Sequence, residues 1–272
     1  MRALLIQGAS YVLYQSVEPT QSVVSLTPWP CPAASSTLPA VRCEEGFSMR
    51  CNLFRAVLVA LAVSVAGAAL PTPASALEPQ EVMSLLERAK NNDATAVPTL
   101  RQYADAGDPM AQTAMATVYL AGIGGVAKDD AEAARWTRLA ADQGFPPAEY
   151  DMALLYFTGR GVTKDDAESA RWLQMAADKG VAPAQNNLAL LYATGQGVPK
   201  DMKKAAQLFR QAADQGFAEA ENNLGVLYAN GEGVKKDPKQ AMKWFQKAAA
   251  QGHPAAQRNL ERLQQAQNQK QK

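Results

Sequence analysis

The chain repeats one pattern with a period of 36 residues. Gly144, Gly180, Gly216 and Gly252 stand at equal intervals of 36 residues, and the residues that precede each glycine are alike. A fixed period of about 20 to 50 residues is typical of proteins built from stacked structural repeats. The period therefore restricts the fold to an array of similar units before any other feature is considered.

One period, residues 181–216, has the pattern of two helices joined by a turn. The apolar stripe of the first helix is Ala184, Leu188, Leu191 and Tyr192. Gly195 and Gly197 end this helix, because glycine readily adopts the positive φ that a helix C-terminus and a tight turn require. Asp201 is the expected N-cap of the second helix. Two short helices cannot bury both apolar faces alone, so each unit needs neighbours on both sides.

The starts of the second helices carry a further signal. Asp129 is followed three residues later by Glu132, and Asp165 is followed by Glu168 at the same spacing. This is the spacing of a capping box, in which the cap and the glutamate each bond to the backbone N–H of the other. We expect each glutamate to bond back to its aspartate in this way.

The period divides the chain after residue 76 into units. Four full units span 108–144, 145–180, 181–216 and 217–252, a half unit spans 253–264, and a degenerate first unit spans 77–107. We expect residues 265–272 to be a frayed tail, because chain ends are poorly ordered unless they are tied down. The pattern as a whole predicts an all-α fold, an α-solenoid of stacked helix-turn-helix repeats.

The N-terminal part of the chain resembles a secretory signal. Residues 49–76 combine Arg50 and Arg55 with an apolar core at 56–70 and end at Ala76 in the small-residue run Ala-Ser-Ala. Cleavage after Ala76 is expected, which predicts a periplasmic or secreted protein; the alternative is that the apolar segment is retained as an anchor. Residues 1–48 are rich in Pro, Ser and Thr, and we interpret them as a non-native N-terminal extension or a disordered segment.

The charge and cysteine content of residues 77–272 limit the possible functions. This part of the chain has 23 basic and 23 acidic residues and contains none of the three cysteines. A balanced charge argues against a polybasic surface for nucleic acid or membrane, so no nucleic-acid partner and no stable membrane insertion after signal cleavage are predicted. Stability must come from helix packing without disulfides.

Catalytic and metal-binding groups are scarce. Residues 77–272 contain one histidine, His253, and two serines, Ser84 and Ser169, so a nucleophilic triad has few candidates. The acidic pairs at 129–130 and 165–166 are better explained as helix caps than as cation ligands. We therefore predict a protein that is not an enzyme and has no catalytic, cofactor or metal site.

The repeated pattern resembles the Sel-1-like repeat family, which is related to tetratricopeptide repeats. In residues 217–252 the pattern consists of Ala220, Leu224, Gly225, Tyr228, Gly231, Gly233, Val234, Asp237, Trp244, Ala248, Ala249 and Gly252. The resemblance implies a right-handed α-solenoid whose concave groove is lined by the first helices. It also implies a scaffold or adaptor that holds proteins together.

If the first helices line such a groove, particular positions should face a partner. The predicted partner-binding residues are Thr113, Thr117, Tyr150, Leu154, Phe157, Asn186, Leu190, Asn222, Val226, Arg258 and Arg262. The asparagines would hold the backbone of a bound segment and the arginines would take a carboxylate. The alternative is that Leu154, Leu190 and Val226 simply pack between helices.

These observations favour one function over two others. The leading hypothesis is a non-enzymatic periplasmic or secreted scaffold whose groove binds another envelope protein, in a signalling or exopolysaccharide system. The alternative is a module that binds a polysaccharide or a peptidoglycan fragment. An enzyme is disfavoured by the lack of candidate residues.

Overall fold

The computed structural model describes residues 77–271, and all the regular structure in that range is helical. The helices are α1 Pro79–Lys90, α2 Ala96–Asp105, α3 Pro109–Ala121, α4 Asp130–Asp142, α5 Pro146–Thr158, α6 Asp166–Asp178, α7 Ala182–Thr194, α8 Met202–Asp214, α9 Ala218–Asn230, α10 Pro238–Ala250 and α11 Pro254–Gln271. Odd-numbered helices are the first helices of their units and even-numbered helices are the second. The expected signal at 49–76 and the extension at 1–48 lie outside the described residues.

Each helix packs mainly against the helices before and after it in the chain, which confirms the predicted α-solenoid of stacked helix-turn-helix units. The stripe predicted for the first helix of residues 181–216 is internal: Ala184 is 0% exposed, Leu188 1% and Leu191 2%, whereas Tyr192 is half-buried. In α1, the predicted inward residues Val82, Leu85, Leu86 and Ala89 are all buried. Burial of each large aliphatic side chain stabilises the fold by about 1.5–3 kcal/mol.

The turn inside each unit is closed by backbone bonds that the glycines permit. Gly195 ends α7 with φ 76°, and its N–H donates to the Leu191 carbonyl. The N–H of Asp201 donates to the carbonyl of Tyr192 at 2.9 Å, while its carboxylate caps the first turn of α8. The same two bonds recur at Asp165 and Asp237, so the aspartate ties the second helix to the end of the first.

The capping-box expectation is wrong in its second half. Asp165 does accept bonds from the N–H groups of Ala167 and Glu168. Its own N–H is already donated to the Tyr156 carbonyl, so the Glu168 side chain turns away and pairs with Arg171 at 2.9 Å. Glu132 pairs with its neighbouring arginine in the same way.

The second glycine of each turn forms the junction between units. Gly197 has φ +70°, and a Cβ on it would lie 2.2 Å from the backbone oxygen of Asp166 at the start of α6. Gly161 and Gly233 approach the preceding second helix equally closely, at Asp130 and Met202. Each turn therefore lies directly on the backbone of the preceding unit.

The last helix extends nearly to the end of the chain. Helix α11 continues to Gln271, so most of the stretch 265–272 is helical, and its fraying stays a prediction. The stretch 264–271 contains no glycine or proline and consists of Gln, Ala, Asn and Lys, most of which are good helix formers.

Among the helices of residues 77–271, none is both long and apolar enough to cross a bilayer.

Candidate binding face of the first helices

Asparagine side chains join the first helices of neighbouring units. The bonds run from Asn187 Nδ2 to the Tyr150 hydroxyl at 3.2 Å, from Asn223 Nδ2 to Asn186 Oδ1 at 3.0 Å, and from Asn259 Nδ2 to Asn222 Oδ1 at 2.9 Å. We call these six residues the asparagine ladder. Since the partners lie one unit apart, the ladder fixes how each first helix is placed beside the next.

Three residues that were predicted to be exposed on this face are buried instead. Thr113 is 1% exposed, Asn186 5% and Asn222 9%. The Thr113 hydroxyl donates to the Pro109 carbonyl, and both asparagines belong to the ladder. The Thr113 hydroxyl thus bonds within its own helix and the two asparagines bond between units, so the expectation that these three side chains are exposed to a partner is wrong.

The positions one turn further along the first helices form a continuous row. We call Thr117, Leu154, Leu190 and Val226 the first-helix strip; they occupy equivalent places in α3, α5, α7 and α9, and each is half-buried. Leu190 and the neighbouring Phe157 pack against the buried core with part of their surface. The strip thus presents apolar surface without being fully internal.

The strip ends at two arginines on α11. Arg258 and Arg262 lie one helical turn apart and are both exposed. They occupy the places that Asn222 and Val226 hold one unit earlier. The first-helix face therefore changes from apolar in its middle to cationic at its C-terminal end.

Sequence reasoning missed the other half of the asparagine ladder. Asn187, Asn223 and Asn259 donate its bonds, and none was predicted to have a role. A signal was present, because the doublet Asn-Asn occurs at 186–187 and again at 222–223. Paired amides one period apart indicate bonding between units rather than a surface for a ligand.

A second set of polar pairs links the start of each first helix to the end of the second helix of the same unit. The pairs are Gln112–Gln143, Glu149–Lys179, Gln185–Gln215 and Glu221–Gln251, with atoms 2.6–2.9 Å apart. Glu149 is fully buried, and its carboxylate forms an ion pair with the ammonium of Lys179. Glu221 accepts its bond from the neutral amide of Gln251. Burial raises the pKa of the Glu221 carboxyl above its ordinary value, against the opposing effect of the Lys247 charge.

The three tryptophans of the described residues lie in the second-helix layer and pack between units. Trp136, Trp172 and Trp244 are each no more than 4% exposed. Arg138 of α4 lies over the ring of Trp172 in α6, and Arg210 of α8 lies over the ring of Trp244 in α10. Because cations of the preceding unit cover the rings, these tryptophans are not open platforms for stacking a sugar or a base.

The two serines and the histidine that were considered for catalysis lie in three different units of the stack. Ser169 is 1% exposed within α6, and Ser84 is exposed on α1. The Nδ1 atom of His253 accepts a bond from the Ala256 N–H and so caps α11. Within residues 77–271, no three His, Cys, Asp or Glu side chains gather in a way that could hold a metal ion.

Helix pairs of similar length, joined unit to unit through glycine turns and polar side-chain pairs, define the class of α-solenoid repeat proteins. Sel1 repeats match residues 109–145, 146–181, 182–217 and 218–253, which is more than half of the chain. The chain belongs to the Sel1 repeat family. Proteins built from these repeats generally serve as scaffolds for protein–protein interaction.

Two solved structures show the same architecture. The Sel1 repeat protein of Oxalobacter formigenes is 42% identical with a TM-score of 0.58; the match covers 63% of this chain and 49% of that protein. The protective antigen c5321 of uropathogenic Escherichia coli, which displays an SLR fold, is 33% identical with a TM-score of 0.62 over 66% of this chain and 40% of the antigen. This chain thus spans half or less of either relative. None of the curated proteins matches it.

Proposed function

We propose that this protein is a non-enzymatic scaffold of the bacterial periplasm or exterior, and that its first-helix strip binds a segment of another envelope protein. The supporting observation is the strip itself, a row of half-buried Leu and Val side chains that crosses consecutive units and ends at two exposed arginines. A segment lying along this row would bury apolar side chains against it. A carboxylate of the same segment would reach Arg258 and Arg262.

The strip is tested by a double substitution, Leu154→Ser with Leu190→Ser. Because truncation of a central apolar contact typically costs about 2 kcal/mol of binding energy, we expect at least about a thirtyfold loss of affinity for the partner. The partner is first identified by crosslinking in intact cells and mass spectrometry, and affinity is then measured with the two purified proteins.

Leu139 provides the matched control. It is a large apolar residue, 40% exposed, on the second-helix layer. Leu139→Ser removes an exposed leucine without touching the strip and should leave affinity unchanged. Equal losses for both variants would contradict the proposed face. Recovery of a defined peptidoglycan or polysaccharide ligand without any protein partner would favour the alternative function.

The proposed location outside the cytoplasm is supported by the surroundings of Leu77. Its side chain is 4% exposed, and its backbone nitrogen donates to Asp108 Oδ2 at 3.0 Å. Cleavage after Ala76 would convert this amide nitrogen into an ammonium group, so that both partners of the bond would be charged.

Two measurements test the cleavage. N-terminal sequencing of protein recovered from the periplasm or medium is expected to begin at Leu77. Asp108→Asn keeps an oxygen that can cap α3 but removes the charge, so it should destabilise the processed protein by about 1 kcal/mol and the uncleaved chain by less. A product that retains residues 49–76, or equal effects of the substitution on both forms, would contradict the proposed processing.

A further inference from the structure

The ion pairs of the described residues are confined to the units that precede residue 181. Among residues 77–271, all seven ion pairs lie between residues 87 and 179. The balanced total charge conceals a segregation: residues 77–180 contain 16 acidic and ten basic residues, whereas residues 181–272 contain seven acidic and 13 basic ones. The later units therefore carry an excess of cations, and within residues 181–271 none of them forms a direct ion pair with a carboxylate.

Several of these cations surround one depression between α8 and α10. Its volume is about 560 Å³, and it is lined by Arg210, Tyr228, Val234, Lys235, Lys236, Asp237 and Gln240. The Asp237 carboxylate accepts bonds from the first N–H groups of α10. The Arg210 guanidinium donates to the Tyr228 hydroxyl and lies 6.0 Å from the centre of the Trp244 ring. Arg210 is thus held in place before any ligand arrives, while the exposed Lys235 and Lys236 stand at the rim.

A stripe of lysines on α10 continues this surface. Lys239, Lys243 and Lys247 follow one another at intervals of four residues, so they share one face of the helix, and all three are exposed. Like charges at this spacing disfavour a helix. No carboxylate of the described residues forms an ion pair with them, so the stripe is unfavourable for the isolated protein.

The equivalent surface of an earlier unit is neutralised. In α6 the positions of the three lysines hold Ala167, Arg171 and Met175, and the single cation pairs with Glu168 at 2.9 Å. The place of Glu168 is taken by Gln240 in α10. The four full units therefore have the same backbone fold. Only the last of them has both the lysine stripe and a neutral residue, Gln240, in the place of the pairing glutamate.

The shape and chemistry of this surface favour an acidic peptide over other anions. A flat bilayer cannot enter the depression where Arg210 lies, whereas a peptide chain can. Arg210 and Lys247 cover the Trp244 ring, so stacking of nucleic-acid bases is not offered. An arginine held in a fixed position suits a carboxylate, which it can bind with two parallel bonds.

We propose that Arg210, Lys235, Lys236, Lys239, Lys243 and Lys247 form a second binding site, the basic surface, and that it takes a glutamate- or aspartate-rich segment of a partner protein. The site lies on two second helices and the turn that precedes α10, and it does not involve the first-helix strip. It therefore goes beyond the proposed function, and either site can fail without the other.

The test uses the full chain and a fluorescein-labelled peptide of alternating glutamate and glycine, with fluorescence anisotropy as the measurement. Lys235→Gln with Lys236→Gln should weaken binding about tenfold at about 50 mM salt, where charges are little screened. Arg210 and Lys247 are left intact because they cover Trp244. The matched control, Lys90→Gln with Lys128→Gln, removes two charges from the acidic half and should change affinity by less than about twofold.

Three further arms decide the outcome. The strip variant Leu154→Ser with Leu190→Ser should bind the peptide normally, and circular dichroism should show unchanged helix content in every variant. Failure of the unmodified protein to bind the peptide, or equal weakening in the control pair, would overturn the proposal. So would binding to phosphatidylglycerol vesicles, or self-association, that depends on the same lysines while the peptide does not bind.

Discussion

Replacing Gly197 by alanine is expected to destabilise the protein by about 3 kcal/mol. The left-handed backbone at φ +70° costs an alanine about 1–2 kcal/mol. In addition, the new Cβ would lie 2.2 Å from the Asp166 oxygen and 2.4 Å from its carbonyl carbon. Backbone atoms cannot rotate away as a flexible side chain can, so the two units must separate locally at a further cost of about 1–3 kcal/mol.

Gly216 is the matched control for this prediction. It has a similar φ of +81°, but nothing lies within 4 Å of the Cβ that an alanine would add. Gly216→Ala should therefore cost only the backbone contribution, about 1 kcal/mol. Urea unfolding followed by circular dichroism measures both variants. Equal destabilisation at the two positions would show that the close approach of units at Gly197 has no energetic role.

Lys179→Ala is expected to destabilise the protein by about 3 kcal/mol at neutral pH. Glu149 is 0% exposed, and the Lys179 ammonium lies 2.6 Å from its Oε1 atom. Removing the lysine leaves a buried carboxylate without its counter-ion, which is the costly way to break such a pair. Urea unfolding followed by circular dichroism compares the variant with the unmodified protein.

A neutral pair at the equivalent positions of the next unit shows which double substitution should restore the stability that Lys179→Ala removes. Gln185 and Gln215 occupy the equivalent positions one unit later and join at 2.8 Å, and Gln185 also donates to the Ala177 carbonyl. Glu149→Gln combined with Lys179→Gln recreates that neutral pair and should recover most of the lost stability. If the double variant remained as unstable as Lys179→Ala, the loss would come from the lysine side chain itself and not from the uncompensated charge.

The fold could be predicted because its signals are local. The spacing of Gly195 and Gly197, the cap at Asp201 and the apolar stripe around Leu188 each depend on residues within one unit. The binding face was harder, since exposure depends on what the neighbouring unit places opposite. Asn186 has the position of a groove residue on its own helix, but Asn223 of the next unit reaches its side chain and buries it.

Electrostatic features were missed for a related reason. The Glu149–Lys179 pair replaces two glutamines found elsewhere in the repeat, so a consensus view treats both residues as ordinary surface variation. The basic surface was hidden by the zero net charge of residues 77–272, because a total carries no information on where charges lie. A count of charges unit by unit reveals the contrast from the sequence alone.

The junctions between units have a consequence for the history of the chain. Contact partners across a junction lie about one period apart, as Gln196 and Asp166 do at 30 residues and Asn223 and Asn186 at 37. Loss of 36 residues therefore removes one half of each of two successive junctions, and the two halves that remain can pair because they occupy equivalent positions. A duplication of 36 residues adds one half to each side in the same way. The number of units can thus change by whole steps during evolution, and each new copy is free to diverge on its outer face.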